Sequence, residues 1–79
     1  FEIYPNPAFN NITVILNNAI DNIYISDVVG NSVKEVKKIN PADKSIQIDI
    51  SSLSPGIYFV HAIKNGNRCT KKIVKLCQN

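Results

Sequence analysis

From Ser45 to Ile50 the chain places isoleucine at 46, 48 and 50 and a polar side chain, Ser45, Gln47 or Asp49, at each position between. In an extended strand successive side chains point to opposite faces, so this order puts three β-branched groups on one face and three polar groups on the other. A helix would scatter them. The same period of two recurs along the chain, and its apolar content is mostly β-branched, with thirteen Ile and seven Val among 79 residues. The sequence therefore predicts an all-β fold, without a helix longer than a single turn.

Turn chemistry divides the chain into seven short strands. Residues 1–4 are extended and end at Tyr4-Pro5-Asn6-Pro7, where two prolines hold the backbone out of helix. A second strand covers 11–16 and closes at Asn17-Asn18; a third covers about 20–27. Asp27-Val28-Val29-Gly30-Asn31 is a turn, with Asp27 capping it through its side chain and Gly30 free to take positive φ. A fourth strand at about 32–39 and a loop over 39–44 precede the alternating strand at 45–50. Ser54-Pro55-Gly56 turns the chain into residues 57–64, apolar on both faces, as in a central strand covered on both sides. Asn65-Gly66 is the strongest two-residue hairpin signal there is, and it leads to a last strand at about 68–76. Seven strands at this spacing predict an Ig-like antiparallel β-sandwich, monomeric, with Ile46, Ile48, Ile50, Val60 and Val74 in its core.

At 79 residues and 8.8 kDa the chain holds one modest core. That size excludes the large dinucleotide-binding architectures and leaves little room for a buried catalytic cleft beside the core. No apolar run reaches the roughly 18 to 20 residues needed to span a bilayer. With no Met anywhere, and with an apolar extended run opening at Phe1, the chain reads as one domain, residues 1–79, excised from a longer precursor.

The net charge of +3 is unevenly distributed. Residues 1–27 hold Glu2, Asp21 and Asp27 and no base (−3), while residues 28–79 hold all nine Lys and Arg against Glu35, Asp43 and Asp49 (+6). The densest stretch carries Lys64, Arg68, Lys71, Lys72 and Lys75 with no acid among them. Such a stretch suits an acidic partner, and it equally suits an edge strand that uses lysines to refuse pairing. Stacking of single-stranded nucleic acid needs aromatics interleaved with bases; Tyr58 and Phe59 alternate with aliphatic residues, so they read as core and no nucleic-acid partner is expected.

Catalytic chemistry finds little support. His61 is the sole histidine, mid-strand, with no Ser, Cys or carboxylate at a spacing that suggests a triad, and it reads as structural. Asp27 and Asp49 belong to different strands, and each has an ordinary local role. Cys69 and Cys77, on one extended strand, would lie about 26 Å apart, far outside disulfide reach. No cofactor or metal ligand set is expected.

Five motifs taken in order carry a resemblance: Tyr4-Pro5-Asn6-Pro7-Ala8; Ile23-Tyr24-Ile25-Ser26-Asp27-Val28-Val29-Gly30; Ile48-Asp49-Ile50-Ser51-Ser52-Leu53; Gly56-Ile57-Tyr58-Phe59-Val60; and Lys71-Lys72-Ile73-Val74-Lys75. In this order and at these separations they resemble the type IX secretion system C-terminal sorting domain, type A, from Ile3 to Leu76. The resemblance implies a non-catalytic signal at the end of a larger secreted protein of a Gram-negative bacterium. Such a signal directs its covalently continuous N-terminal cargo from the periplasm across the outer membrane, and a sortase-like signal peptidase then removes it. The cargo ends secreted or on the cell surface.

Carried onto this sequence, the resemblance marks Pro5, Asn6, Pro7, Asp27, Gly30, Gly56, Tyr58, Gly66, Lys71, Lys72, Val74 and Lys75 as sorting-motif positions. The terminal hairpin and its basic strand match the part read by the secretion machinery. By analogy with the tyrosine corner of Ig-like folds, Tyr58 braces the Pro55-Gly56 turn. Leu76-Cys77-Gln78-Asn79 runs past the family's usual stop. The competing reading is a fibronectin type III or Ig-like adhesion or carbohydrate-binding module, since Leu53-Ser54-Pro55-Gly56-Ile57-Tyr58 is similar to the corner of that fold, one residue short and without the buried Trp.

Overall fold

Alternating β-branched residues bury one face of the inner strands of each sheet, and two such faces close on one another as a sandwich. The computed structural model describes residues 1–16, 20–36, 39–40 and 42–77. Its strands are β1 (Glu2–Tyr4), β2 (Asn11–Ile15), β3 (Asn22–Ser26), β4 (Ser32–Val36), β5 (Ser45–Asp49), β6 (Gly56–Lys64) and β7 (Asn67–Lys75). Every pairing is antiparallel, in one sheet of order β1-β2-β5 and another of order β4-β3-β6-β7. No helix occurs among the described residues. The fold is the expected seven-stranded Ig-like sandwich, with β4 on the β3-β6-β7 sheet rather than beside β5 as in constant-type immunoglobulin domains. Asn17-Asn18, Lys37 and Lys38 of the expected fourth strand, and Pro41 of the expected loop lie outside the described residues.

Ile12, Val14 and Ile48 from the first sheet meet Ile23, Ile25, Tyr58, Val60, Ala62 and Ile73 from the second, with Ala8 and Ile50 joining from the connections. Ile48, Ile50 and Val60 are buried as expected, and Ile46 is partly buried against this cluster.

Three expectations are corrected. Val74 is only half-buried and faces away from the core; Ile73 is the fully buried residue of β7. The reason is register. The turn at Asn65-Gly66 pairs Lys64 with Asn67, which sets Tyr58 opposite Ile73 and Ile57 opposite Val74. Tyr58 points inward, so Ile73 does too, and a slip of one residue exchanges the faces. Second, β6 is central in its sheet but covered on one face only: on the other, Ile57 is 44% exposed and Phe59 and Ile63 are half-buried. Third, of the two aromatics expected in the core, Tyr58 is buried but Phe59 is half-buried on the outer face of the sheet.

Candidate recognition site at the terminal strand

The geometry of β7 begins at its turn. Asn65 (φ 51°) and Gly66 (φ 79°) both adopt positive φ, the type I′ requirement, and the Asn65 N–H donates to Asp21 Oδ2 at 2.9 Å. Peptide groups along an antiparallel strand face its neighbour at alternate residues. With Lys64 and Asn67 closing the turn, residues 67, 69, 71, 73 and 75 bond to β6, and 68, 70, 72 and 74 turn their N–H and C=O outward.

The segment after β1 takes up half of that outer edge. Asn6 Nδ2 donates to the Lys72 carbonyl, and the Val74 N–H donates to Asn6 Oδ1, each at 3.1 Å, so one side-chain amide imitates a strand partner. Ala8 continues the contact as a parallel bridge to Lys75: its N–H donates to the Val74 carbonyl and its carbonyl accepts from the Leu76 N–H, both at 2.8 Å. Residues 66 apart in sequence are thereby locked together. Pro5 and Pro7 flank Asn6 on the exposed side, and both of their X–Pro bonds are cis.

Lys71 and Lys72 are exposed on the part of β7 that this strap leaves open. With Glu2, Ile3, Tyr4 and Asn6 they line a groove of about 530 Å³ between the edges of the two sheets. The Lys71 ammonium lies 5.7 Å from the centre of the Phe1 ring, a cation–π distance. Lys75 differs from both. It is 6% exposed and faces inward beside Ile73, which corrects its reading as a surface lysine. Its backbone lies between the Ala8 bridge on one side and Gly56 on the other. The Asp49 carboxyl is held below its ordinary range by its hydrogen bonds with Ser51, with the charges of Lys34 and Lys75 adding to the effect.

The other sequence-marked residues build the frame. Tyr58 donates its hydroxyl to the Ser54 carbonyl at 2.6 Å, the expected brace across the Pro55-Gly56 turn, and Gly56 takes φ +154°, a value a side chain strains to reach. Asp27 Oδ1 accepts from the Val29 and Asn31 N–H groups at 3.0 and 2.9 Å, and Gly30 takes φ +94°. That turn lies at the Gly56 end of the sheet, with β6 between its own strand and β7. Gly66 lies at the opposite end. The structure thus brings Asn6, Lys71, Lys72 and Val74 to one edge, buries Lys75 behind it, and keeps Asp27, Gly30 and Gly66 away from it.

Sequence reading missed the partners of His61. The Ser26 hydroxyl is 2.8 Å from Nε2, the Thr70 hydroxyl is 2.8 Å from Nδ1, and the Tyr24 ring stacks on the imidazole at 4.4 Å. Ser26 arrives from a neighbouring strand, which sequence spacing does not register, whereas Thr70 follows by counting outward from the turn. The arrangement does not form a triad: Ser26 is 5% exposed, and Nδ1 meets a hydroxyl where a carboxylate would stabilise the imidazolium.

Burial, aided by the Arg68 charge, lowers the His61 pKa below its ordinary 6.5. The unfolded chain therefore takes up a proton at higher pH than the folded one, so this contribution to stability is complete above about pH 6.5 and falls as pH drops toward the depressed folded value. Urea unfolding at pH 7 and pH 5 should show the loss, and His61→Gln should flatten that step; an unchanged pH slope in the variant would refute the assignment.

Among the described residues no helix is long and apolar enough to cross a membrane, and no cluster of three or more His, Cys, Asp or Glu is placed to hold a metal. Cys69 and Cys77 are free and exposed. No curated protein matches the chain. A family model described as the secretion system C-terminal sorting domain matches residues 2–76, from the first strand through the strap of Asn6 and Ala8 to the end of the basic strand. That match covers nearly the whole sandwich, and the chain belongs to the type IX secretion C-terminal sorting domain family.

Proposed function

We propose that this domain carries a covalently attached N-terminal cargo from the periplasm across the outer membrane, that the terminal hairpin and the Asn6 strap form the surface the secretion machinery reads, and that a sortase-like signal peptidase then removes the domain. Family membership itself supports a sorting signal for type IX secretion, a non-catalytic family role, and a secreted or cell-surface destination. The observation that carries the finer reading is the convergence of the two most distant motifs: Asn6 of the first is hydrogen-bonded to Lys72 and Val74 of the last. A signal used by a secretion machine must fold independently of its cargo and present a surface that only the finished fold assembles. An edge built from both ends of the domain meets that requirement, because a partly folded chain lacks it.

The test is a fusion of residues 1–79 behind a signal peptide and a reporter, in a cell with a working type IX system. The reporter should reach the medium or cell surface with the domain and remain periplasmic without it. In a strain lacking the peptidase it should keep the mass of the uncut fusion. Export without the domain, or periplasmic retention with it, would overturn the reading; equal masses in both strains would remove the cleavage step.

A further inference from the structure

Half of the outer edge of β7 is closed by Asn6 and Ala8, and half is open. Among the described residues the outward peptide groups of Arg68 and Thr70, and the outward N–H of Lys72, meet no backbone partner. These five residues, 68–72, lie on one of the two longest strands of the fold. An open edge of this length is a template for another strand.

The side chains select which strand. Arg68 and Lys72 lie on the outer face of the sheet, as their pairing with Ile63 and Phe59 requires, and Lys71 lies on the groove side. Cations on both faces repel a second copy of β7, which holds no acid of its own. They attract an acidic strand, and a strand that pairs with the edge desolvates their charges and strengthens the attraction. The groove beside Lys71 and Lys72, walled by Ile3 and Tyr4, offers space for side chains on the incoming strand's other face. The Arg68 guanidinium is already held by the Tyr24 hydroxyl at 3.2 Å, so its direction is set before a partner arrives.

We infer that residues 68–72 are a β-augmentation site for an extended acidic segment of a partner protein, with acidic side chains set against Arg68 and Lys72 and apolar ones over the groove, and that Asn6 fixes where this pairing stops. The inference rests on the sorting-signal reading and names the chemistry of the partner that reads it. Its length limit follows from the strap: beyond Lys72 the outward groups are taken, so the incoming strand pairs over about five residues and no farther.

The probe is the palindromic peptide acetyl-Glu-Val-Thr-Val-Glu-amide, which presents the same pattern in either strand direction. Titrated into the domain at low salt and followed by amide chemical shifts, it should perturb Arg68, Thr70 and Lys72 most, shift Ile3 and Tyr4 at the groove wall less, and leave β4, at the far edge of the sheet, unmoved. In the antiparallel direction that every strand pair of this fold uses, the same peptide N-methylated at its threonine keeps the charge and loses the donor to the Thr70 carbonyl; it should bind about tenfold more weakly. Equal binding of the two peptides, or no shift at these amides, overturns the inference. So does a thymidine oligonucleotide that moves the same amides when the peptide does not.

In the reporter fusion, Thr70→Pro removes an outward N–H that β6 does not use, and Thr70→Val removes the same hydroxyl but keeps that N–H. Export should fall at least about tenfold for Thr70→Pro relative to Thr70→Val, with both variants folded by circular dichroism. If the intact domain exports and the two variants export equally, the augmentation site is wrong and the sorting reading stands. If the intact domain does not export, the sorting reading itself fails. The peptide titration decides the matter even if Thr70→Pro does not fold.

Discussion

Ile73→Ala should destabilise the domain by about 2 to 5 kcal/mol, while Val74→Ala, one residue on, should cost less than about 1 kcal/mol. Ile73 is fully buried, opposite Tyr58 in the register, and truncating it removes both its own burial and the contacts of the side chains around it. For a chain of 79 residues the whole folding free energy is of order 4 to 12 kcal/mol. The substitution therefore threatens the fold outright. Urea denaturation of the two variants beside the parent reads the difference as a shift in midpoint at constant slope. Equal midpoints, or a larger loss for Val74→Ala, would mean that the hairpin is paired one residue out of the register described above.

The same pair shows how much of this fold was legible in the sequence. Strand number and turns were readable because each rests on local chemistry: alternating isoleucines at 46, 48 and 50, the Asp27 turn, and the positive-φ pair at Asn65 and Gly66. Which face of β7 turns inward was also available, by counting outward from the turn to Tyr58 and Ile73. The pattern of lysines misdirects that count, since Lys71, Lys72 and Lys75 look alike in sequence. Their environments are set by the other sheet and by the strap, which no spacing within β7 encodes. Ala8 is the clearest case: a small residue among prolines carries no periodic signal, yet it is fully buried and holds both Val74 and Leu76.

The candidate site was legible to a lesser degree. The resemblance marked Asn6, Lys71, Lys72 and Val74, but it could not show that these four meet at one edge. Nor could it show that Asp27, Gly30 and Gly66 stand apart from that edge, in turns. Long-range contact is the missing information, because 66 residues separate the partners of the Asn6 bond. One consequence bears on deletion experiments. Removing residues 68–79 takes away Ile73 and most of the strand that pairs along β6, so it destroys the core together with the signal. Loss of export after that deletion would not separate a recognition defect from an unfolded domain, and point substitutions on the open edge are the sharper instrument.

Lys75 supplies the second large effect. It is 6% exposed, its backbone is paired with Gly56 on one side and with Ala8 on the other, and its charge acts favourably on Asp49 at the rim. Lys75→Glu shortens the side chain and reverses its sign, which draws a carboxylate toward the buried part of the position and sets it against Asp49. The expected loss is about 1 to 3 kcal/mol, the cost of drawing a polar group without a hydrogen-bond partner out of water. Lys75→Met keeps the length of the stem and drops the charge, so it should cost less than about 1.5 kcal/mol. Lys71→Glu and Lys72→Glu change the same charge on exposed side chains and should stay within about 0.5 kcal/mol of the parent. Thermal and urea unfolding of the four variants therefore sort the basic strand into one structural lysine and two that the fold does not need. If Lys75→Glu proves as stable as Lys71→Glu, Lys75 is not buried as described.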